Sequence, residues 1–83
     1  MTIEMKDTAD KVISIIAQKL NRPISDINEE STLQDFGADS LDMVEIIMKV
    51  EEEFAIEIND EDAESFANVG DFIAYIHRLR TKF

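Results

Sequence analysis

An all-α fold is what this sequence predicts: a small four-helix bundle with three main helices, one short helix and a long first loop. Three observations carry that expectation. Three segments repeat their apolar residues at helical spacing. The chain breakers are few, namely Pro23, Gly37 and Gly70. No segment sustains strand alternation, although 55–58 reads as briefly extended. With 83 residues and 45% hydrophobic content, one domain spanning 1–83 is expected, with one core and too little chain to wall a deep active site.

The first helix is expected from Asp7 to Leu20. Ala9, Val12, Ile13, Ile16, Ala17 and Leu20 form one stripe at i, i+3, i+4, i+7, i+8 and i+11. Asp7, Thr8 and Asp10 supply a cap and first-turn charge, and Asn21-Arg22-Pro23 ends the helix. Residues 21–39 then form the long loop, pinned by Ile24, Ile27, Leu33 and Phe36. Ser31 and Gln34 have capping-box spacing and predict a short turn near 32–36. Gly37 allows a tight turn into the second helix, Ser40 to Phe54. The short third helix falls within Asp60–Phe66, capped by Asn59, with Ala63 and Phe66 on its buried side. The fourth runs from Val69 to Arg80. Asn68 caps it, Asp71 follows three residues later, and its core stripe is Val69, Phe72, Ile73, Ile76 and Leu79. Arg78, Arg80 and Lys82 suit the negative end of that helix.

Charge narrows the function. Nineteen acids against eight Lys and Arg give a formal net charge of −11. Such a surface repels nucleic acid and anionic membrane and favours partners with basic patches. The absence of cysteine excludes disulfides and any thiol borne by the chain itself. No signal-peptide pattern opens the sequence and no apolar run reaches spanning length, so a cytoplasmic protein is the expectation. A monomer is also expected.

The second helix has two apolar stripes. Met43, Ile46, Ile47, Val50 and Phe54 make the core stripe, while Leu41, Val44 and Met48 centre about 140° away. Two readings stand for the second stripe: ordinary scattered exposure, or a docking face of apolar anchors ringed by acids. Residues 39–64 hold eleven acids and one base, Lys49, which favours docking. Glu51-Glu52-Glu53 oppose the helix dipole, a broken local rule of the kind found at functional positions.

Asp39 is the better N-cap of the second helix, with Asp42 three residues on. Ser40 is thereby left in the first turn, beside unpaired backbone N–H groups. By local chemistry Ser40 reads as a capping serine. A catalytic role lacks support, because His77 is the only histidine, lies near the far end of the fourth helix and reads as exposed, and no G-x-S-x-G elbow is present.

Gly37-Ala38-Asp39-Ser40-Leu41-Asp42 resembles the phosphopantetheine attachment motif of the acyl carrier protein family. Met43 through Phe54 resembles that family's second helix, Glu57 through Glu64 its following loop and third helix, and Tyr75-Ile76 a pair in its fourth. The resemblance implies a non-catalytic carrier of acyl chains as thioesters, on a 4'-phosphopantetheine arm derived from coenzyme A and attached to Ser40. It implies a phosphopantetheinyl transferase and the enzymes of fatty acid synthesis as partners. Docking roles would fall to Asp39, Leu41, Asp42, Val44, Glu45, Met48, Glu51 and Glu52, and an acyl cavity to Ile46, Ile47, Val50, Phe54, Ile58, Ala63 and Phe66. Asn59 stands where the family often has proline, and Phe66 is bulky for its place and would narrow or reshape the cavity. A specialised polyketide or peptide carrier is the alternative within the class.

From another class, a divalent-cation-binding helical protein competes. Asp60, Asp62, Glu64 and Asp71 fall at positions 1, 3, 5 and 12 of a calcium loop. Ser65 replaces the glycine at position 6 and position 12 lacks glutamate, so no metal site is expected.

Overall fold

The computed structural model describes residues 4–63 and 65–81. Glu64 and Lys82, counted above among the acids and the helix-end bases, lie outside the described residues. Helices α1 (Met5–Leu20), α2 (Ser40–Phe54), α3 (Asp60–Ala63) and α4 (Val69–Thr81) follow in order, and the long loop holds two 3-10 turns, Ile24–Asp26 and Gln34–Phe36. This is the all-α bundle expected, with three main helices and one short one.

The core lies where the apolar stripes of α1, α2 and α4 meet. Val12 and Ile16 of α1, Ile46 and Val50 of α2, and Phe72, Ile73 and Ile76 of α4 are buried. The loop contributes Ile27 and Leu33, with Phe36 packed against them. Ile24 does not pin the loop. It is 58% exposed, because the first 3-10 turn directs it to solvent.

Several ends differ from expectation. α1 starts two residues early, with Glu4 as N-cap: the backbone N–H groups of Asp7 and Thr8 donate to Glu4 O, and no side chain caps the helix. Thr8 is buried instead. The reciprocal cap in the loop joins Thr32 and Asp35, one residue beyond the expected Ser31–Gln34 pair: Asp35 N donates to Thr32 Oγ1 (3.2 Å) and Thr32 N to Asp35 Oδ2 (3.0 Å). α2 closes on Ala55 in the left-handed region (φ 54°), so 55–58 begins as a helix cap rather than an extended segment. The α4 cap is as expected, with Asp71 N donating to Asn68 Oδ1 at 2.8 Å. The loop covers the same helix start, because Val69 N and Gly70 N donate to Ser31 O and Glu29 O. Gly70 lets the loop approach closely, since a Cβ there would stand 3.2 Å from Glu29 O, a tight contact.

His77 is not an exposed helix-end residue. It is half-buried, and its Nδ1 lies 2.9 Å from Thr8 Oγ1. Arg80 Nη1 donates to the same oxygen at 2.9 Å and to Asp7 Oδ2 at 3.1 Å. Thr8 is satisfied on both sides when it accepts from Arg80 and donates its proton to Nδ1. The Arg80 guanidinium also lies 4.6 Å from the Phe54 ring centroid, which ties α1, α2 and α4 together at one end of the bundle.

Candidate functional site

The site is built on the start of α2. Gly37 turns the chain with φ 81°, a region that favours glycine. Asp39 then caps α2 with a full capping box: Asp42 N donates to Asp39 Oδ1 (2.9 Å), and Asp39 N donates to Asp42 Oδ2 (3.2 Å). With the cap supplied by Asp39, Ser40 is relieved of it. Ser40 is the first residue of α2 and is exposed, and no hydrogen bond engages its Oγ among the described residues. Helix geometry leaves the first-turn N–H groups beside it, and the dipole there favours an anion.

Ser40 also stands on the rim of a partly open cavity of about 580 Å³. Met43, Val44, Ile46 and Ile47 of α2 line one side. Ala63, Phe66, Ala67, Asn68, Val69 and Phe72 line another, and Thr32, Leu33 and Gln34 of the loop complete it. Of the residues expected to form a cavity, Ile46, Ile47, Ala63 and Phe66 are brought together here. Val50, Phe54 and Ile58 lie outside this lining: Val50 and Ile58 are buried in the core, and Phe54 packs under Arg80. Phe72 was placed in the core stripe of α4, and it serves both core and cavity because the cavity opens off the core.

The second stripe of α2 faces solvent, with Leu41, Val44 and Met48 exposed by 64%, 53% and 54%. The acids expected around it are less idle than their spacing suggests. Asp39 and Asp42 form the capping box. Glu45 pairs with Lys19 of α1. Glu51 Oε2 accepts from the backbone N–H of buried Ile58 at 2.8 Å, so it closes the turn after α2. Glu52 is exposed and faces a shallow groove with Lys11 and Lys49 between α1 and α2. The carboxylates at 39, 42, 45 and 51 thus hold local structure while remaining part of an acidic surface.

The calcium-loop spacing does not form a loop. Residues 60–63 are helical, and Asp71 Oδ2 accepts from Ala67 N at 3.2 Å. Among the described residues no group of three or more His, Asp or Glu stands close enough to hold a metal ion, and no helix is long and apolar enough to cross a membrane.

A hydroxyl freed of capping at a helix start, on the rim of an open apolar cavity, is placed where a group can be attached. The comparisons name that group. Residues 10–76 match the family described as the phosphopantetheine attachment site. Acyl carrier proteins from three strains of Clostridium perfringens are each 56% identical over 68 residues, covering 81% of this chain and 90% of theirs. The chain belongs to the acyl carrier proteins, carriers whose prosthetic group is phosphopantetheine. The residues present fit that group: a solvent-facing hydroxyl can take the phosphodiester and an apolar cavity adjoins it, while the Asp39 and Asp42 carboxylates oppose the attraction of the helix start for its charge.

Proposed function

We propose that residues 1–83 form a single carrier domain whose Ser40 Oγ bonds to the phosphate of a 4'-phosphopantetheine arm, for use in fatty acid synthesis in the cytoplasm. The arm supplies the thiol that this cysteine-free chain lacks, and on it acyl groups ride as thioesters. In the attachment step a transferase removes the Ser40 proton, the oxygen bonds to the phosphorus of coenzyme A that carries the arm, and the nucleotide portion leaves. Asp39 holds the helix start so that Ser40 is free to react.

Leu41, Val44 and Met48, with Asp39, Asp42, Glu45, Glu51 and Glu52 around them, dock basic patches on successive enzymes. Exposed charge speeds and orients encounter without making it long-lived, as a shuttle requires. Ile46, Ile47, Ala63 and Phe66 shelter the cargo. The protein works as a monomer and performs no chemistry of its own. It raises the effective concentration of the tethered group at each enzyme it meets.

The observation that carries this reading is the exposed, uncapping Ser40 on the cavity rim. Incubation with coenzyme A and a phosphopantetheinyl transferase is expected to add one arm by intact mass, and Ser40→Ala is expected to abolish the gain. No gain, or a gain that survives the substitution, defeats the proposal. Fatty acid synthesis is tested by whether the loaded protein is elongated by a purified ketoacyl synthase. Turnover only by polyketide or peptide-assembly enzymes would reassign it.

A further inference from the structure

We infer that Phe66 and Phe72, with Phe66 held in place by the hydrogen bond between Tyr75 and Asp62, set the longest acyl chain this cavity shelters. The inference rests on the carrier reading above and adds the residues that decide cargo length.

The two sides of the cavity are unlike. On the α2 side, Met43, Ile46 and Ile47 present flexible or branched aliphatic groups. The side from residues 63–72 presents two phenyl rings. Their centroids are 5.0 Å apart at an interplanar angle of 46°, and Phe66 also meets Tyr75, at 5.2 Å and 60°. Tilted pairs at these separations are favourable beyond the area they bury. The ring of Phe66 is therefore packed against two aromatic neighbours on α4.

The three rings differ in freedom. Phe72 is 3% exposed and belongs to the core of α4. Phe66 is only half-buried and lies after α3, a helix of four residues, outside any regular element. Its position depends on what it packs against. Tyr75 stands behind it, outside the cavity lining, and donates its hydroxyl to Asp62 Oδ2 at 2.8 Å, which ties α3 to α4. Burial, and then the Asp62 carboxylate, push the Tyr75 hydroxyl above its ordinary pKa of 10.0, so the donor keeps its proton at neutral pH.

For a chain that enters from the Ser40 rim, each methylene taken into the space between the aliphatic wall and the rings buries more apolar area. Further progress requires Phe66 to leave both ring partners and strains the tie between α3 and α4. Added carbons then gain little. Protection should rise with chain length and level off where Phe66 stands, and removal of its ring should move that point outward.

In the test a phosphopantetheinyl transferase loads the full chain from acyl-coenzyme A of increasing saturated length, transferring the acylated arm to Ser40 as the nucleotide portion leaves, and intact mass confirms each load. Thermal midpoint and the rate of thioester cleavage by hydroxylamine are then read. Wild-type protection is expected to rise and level off. Phe66→Ala should move the levelling point by about two to four carbons, in line with the volume removed. Phe66→Leu should move it less. Tyr75→Phe keeps the ring and loses only the tie, so it should also shift the point, by less than Phe66→Ala.

An unchanged levelling point in Phe66→Leu and Phe66→Ala overturns the inference. If Phe66→Ala does not fold, Phe66→Leu alone decides. A lower thermal midpoint in Tyr75→Phe with an unmoved levelling point removes Tyr75 from the device and leaves it a structural residue. Loaded wild type that gains no protection at any length overturns the sheltering reading and the inference with it, whereas a chain that takes no load overturns the carrier reading itself.

Discussion

Thr8 and Ser40 are both hydroxyl residues near the start of a long helix, yet the fold treats them in opposite ways. Thr8 is 0% exposed and bonded on both sides, with His77 and Arg80 of α4 each 2.9 Å from its oxygen. Ser40 is exposed, and its neighbour Asp39 does the capping. The difference lies in what stands opposite. α4 packs against α1 through Val12, Ile16, Ile73 and Ile76, all buried. Opposite the start of α2 the chain leaves a cavity of about 580 Å³. A hydroxyl becomes structural where several elements converge on it and stays available where its helix begins at open space. Tight packing along α1 and α4 supplies the stability that lets the other side remain underfilled.

Core truncations should separate the two sides most widely. Ile73→Ala, at a side chain 1% exposed, is expected to cost about 3–5 kcal/mol, whereas Ile47→Ala on the half-buried cavity wall should cost about 1–2 kcal/mol. Urea unfolding with matched m-values measures both, and equal losses would erase the distinction. Next in size come the hydroxyls themselves. Thr8→Val removes the acceptor of Arg80 and the partner of His77 at nearly constant volume and should cost about 1–3 kcal/mol. Ser40→Ala should stay within about 0.5 kcal/mol of wild type. A destabilising Ser40→Ala would return that residue to a capping role.

A smaller effect bears on the acids of α2. Glu51→Ala leaves the buried N–H of Ile58 without its acceptor and should cost about 1–2 kcal/mol. Glu52→Ala, at an exposed site, should change stability by less than about 0.5 kcal/mol. If instead both leave stability alone and both weaken partner binding, Glu51 serves docking and the hydrogen bond to Ile58 is incidental.

Features governed by near neighbours were legible in the sequence, and features governed by distant ones were not. α2 runs from Ser40 to Phe54 and Asn68 caps α4, both as the spacing implied, because capping acts within three residues. The same spacing rule offered two frames in the loop, and the chain uses Thr32–Asp35, whose acid accepts where the amide of Gln34 had been expected to. The Thr8–His77–Arg80 network joins residues 69 and 72 positions apart, and no periodicity within α1 or α4 announces it. In the cavity, Ile46 and Ile47 followed from the face of α2. Val50 and Phe54 share that face and yet lie in the core or under Arg80, since a helical stripe says which residues are inward but not where packing is left incomplete. Ser40 itself gave only a cap by local chemistry, and its proposed role came from the motif around it.

The smallest expected effect sets the two sides at opposite ends of the pH scale. On the α1–α4 side, the hydrogen bond from Arg80, helped by Lys11, holds the Asp7 carboxyl below its ordinary 3.8. The folded state therefore favours the carboxylate. That contribution is present above 3.8 and is lost as pH falls through the lower folded value. On the α3–α4 side, burial and Asp62 hold the Tyr75 hydroxyl above its ordinary 10.0, so its contribution is present below 10.0 and is lost as pH rises through the higher folded value. Urea midpoints of wild type, Asp7→Asn and Tyr75→Phe measured across pH resolve the two. The difference between wild type and Asp7→Asn should shrink only on the acid limb, and the difference between wild type and Tyr75→Phe only on the alkaline limb. Asp7 is exposed and solvent screens its pair with Arg80, so its limb should be the fainter one. Comparison at the same pH cancels the self-repulsion of all nineteen acids for Tyr75→Phe, and that among the eighteen shared acids for Asp7→Asn. A pH-independent difference for either variant would mean that its hydrogen bond does not distinguish the charged from the neutral form, and the assignment of that side's polar tie would fail.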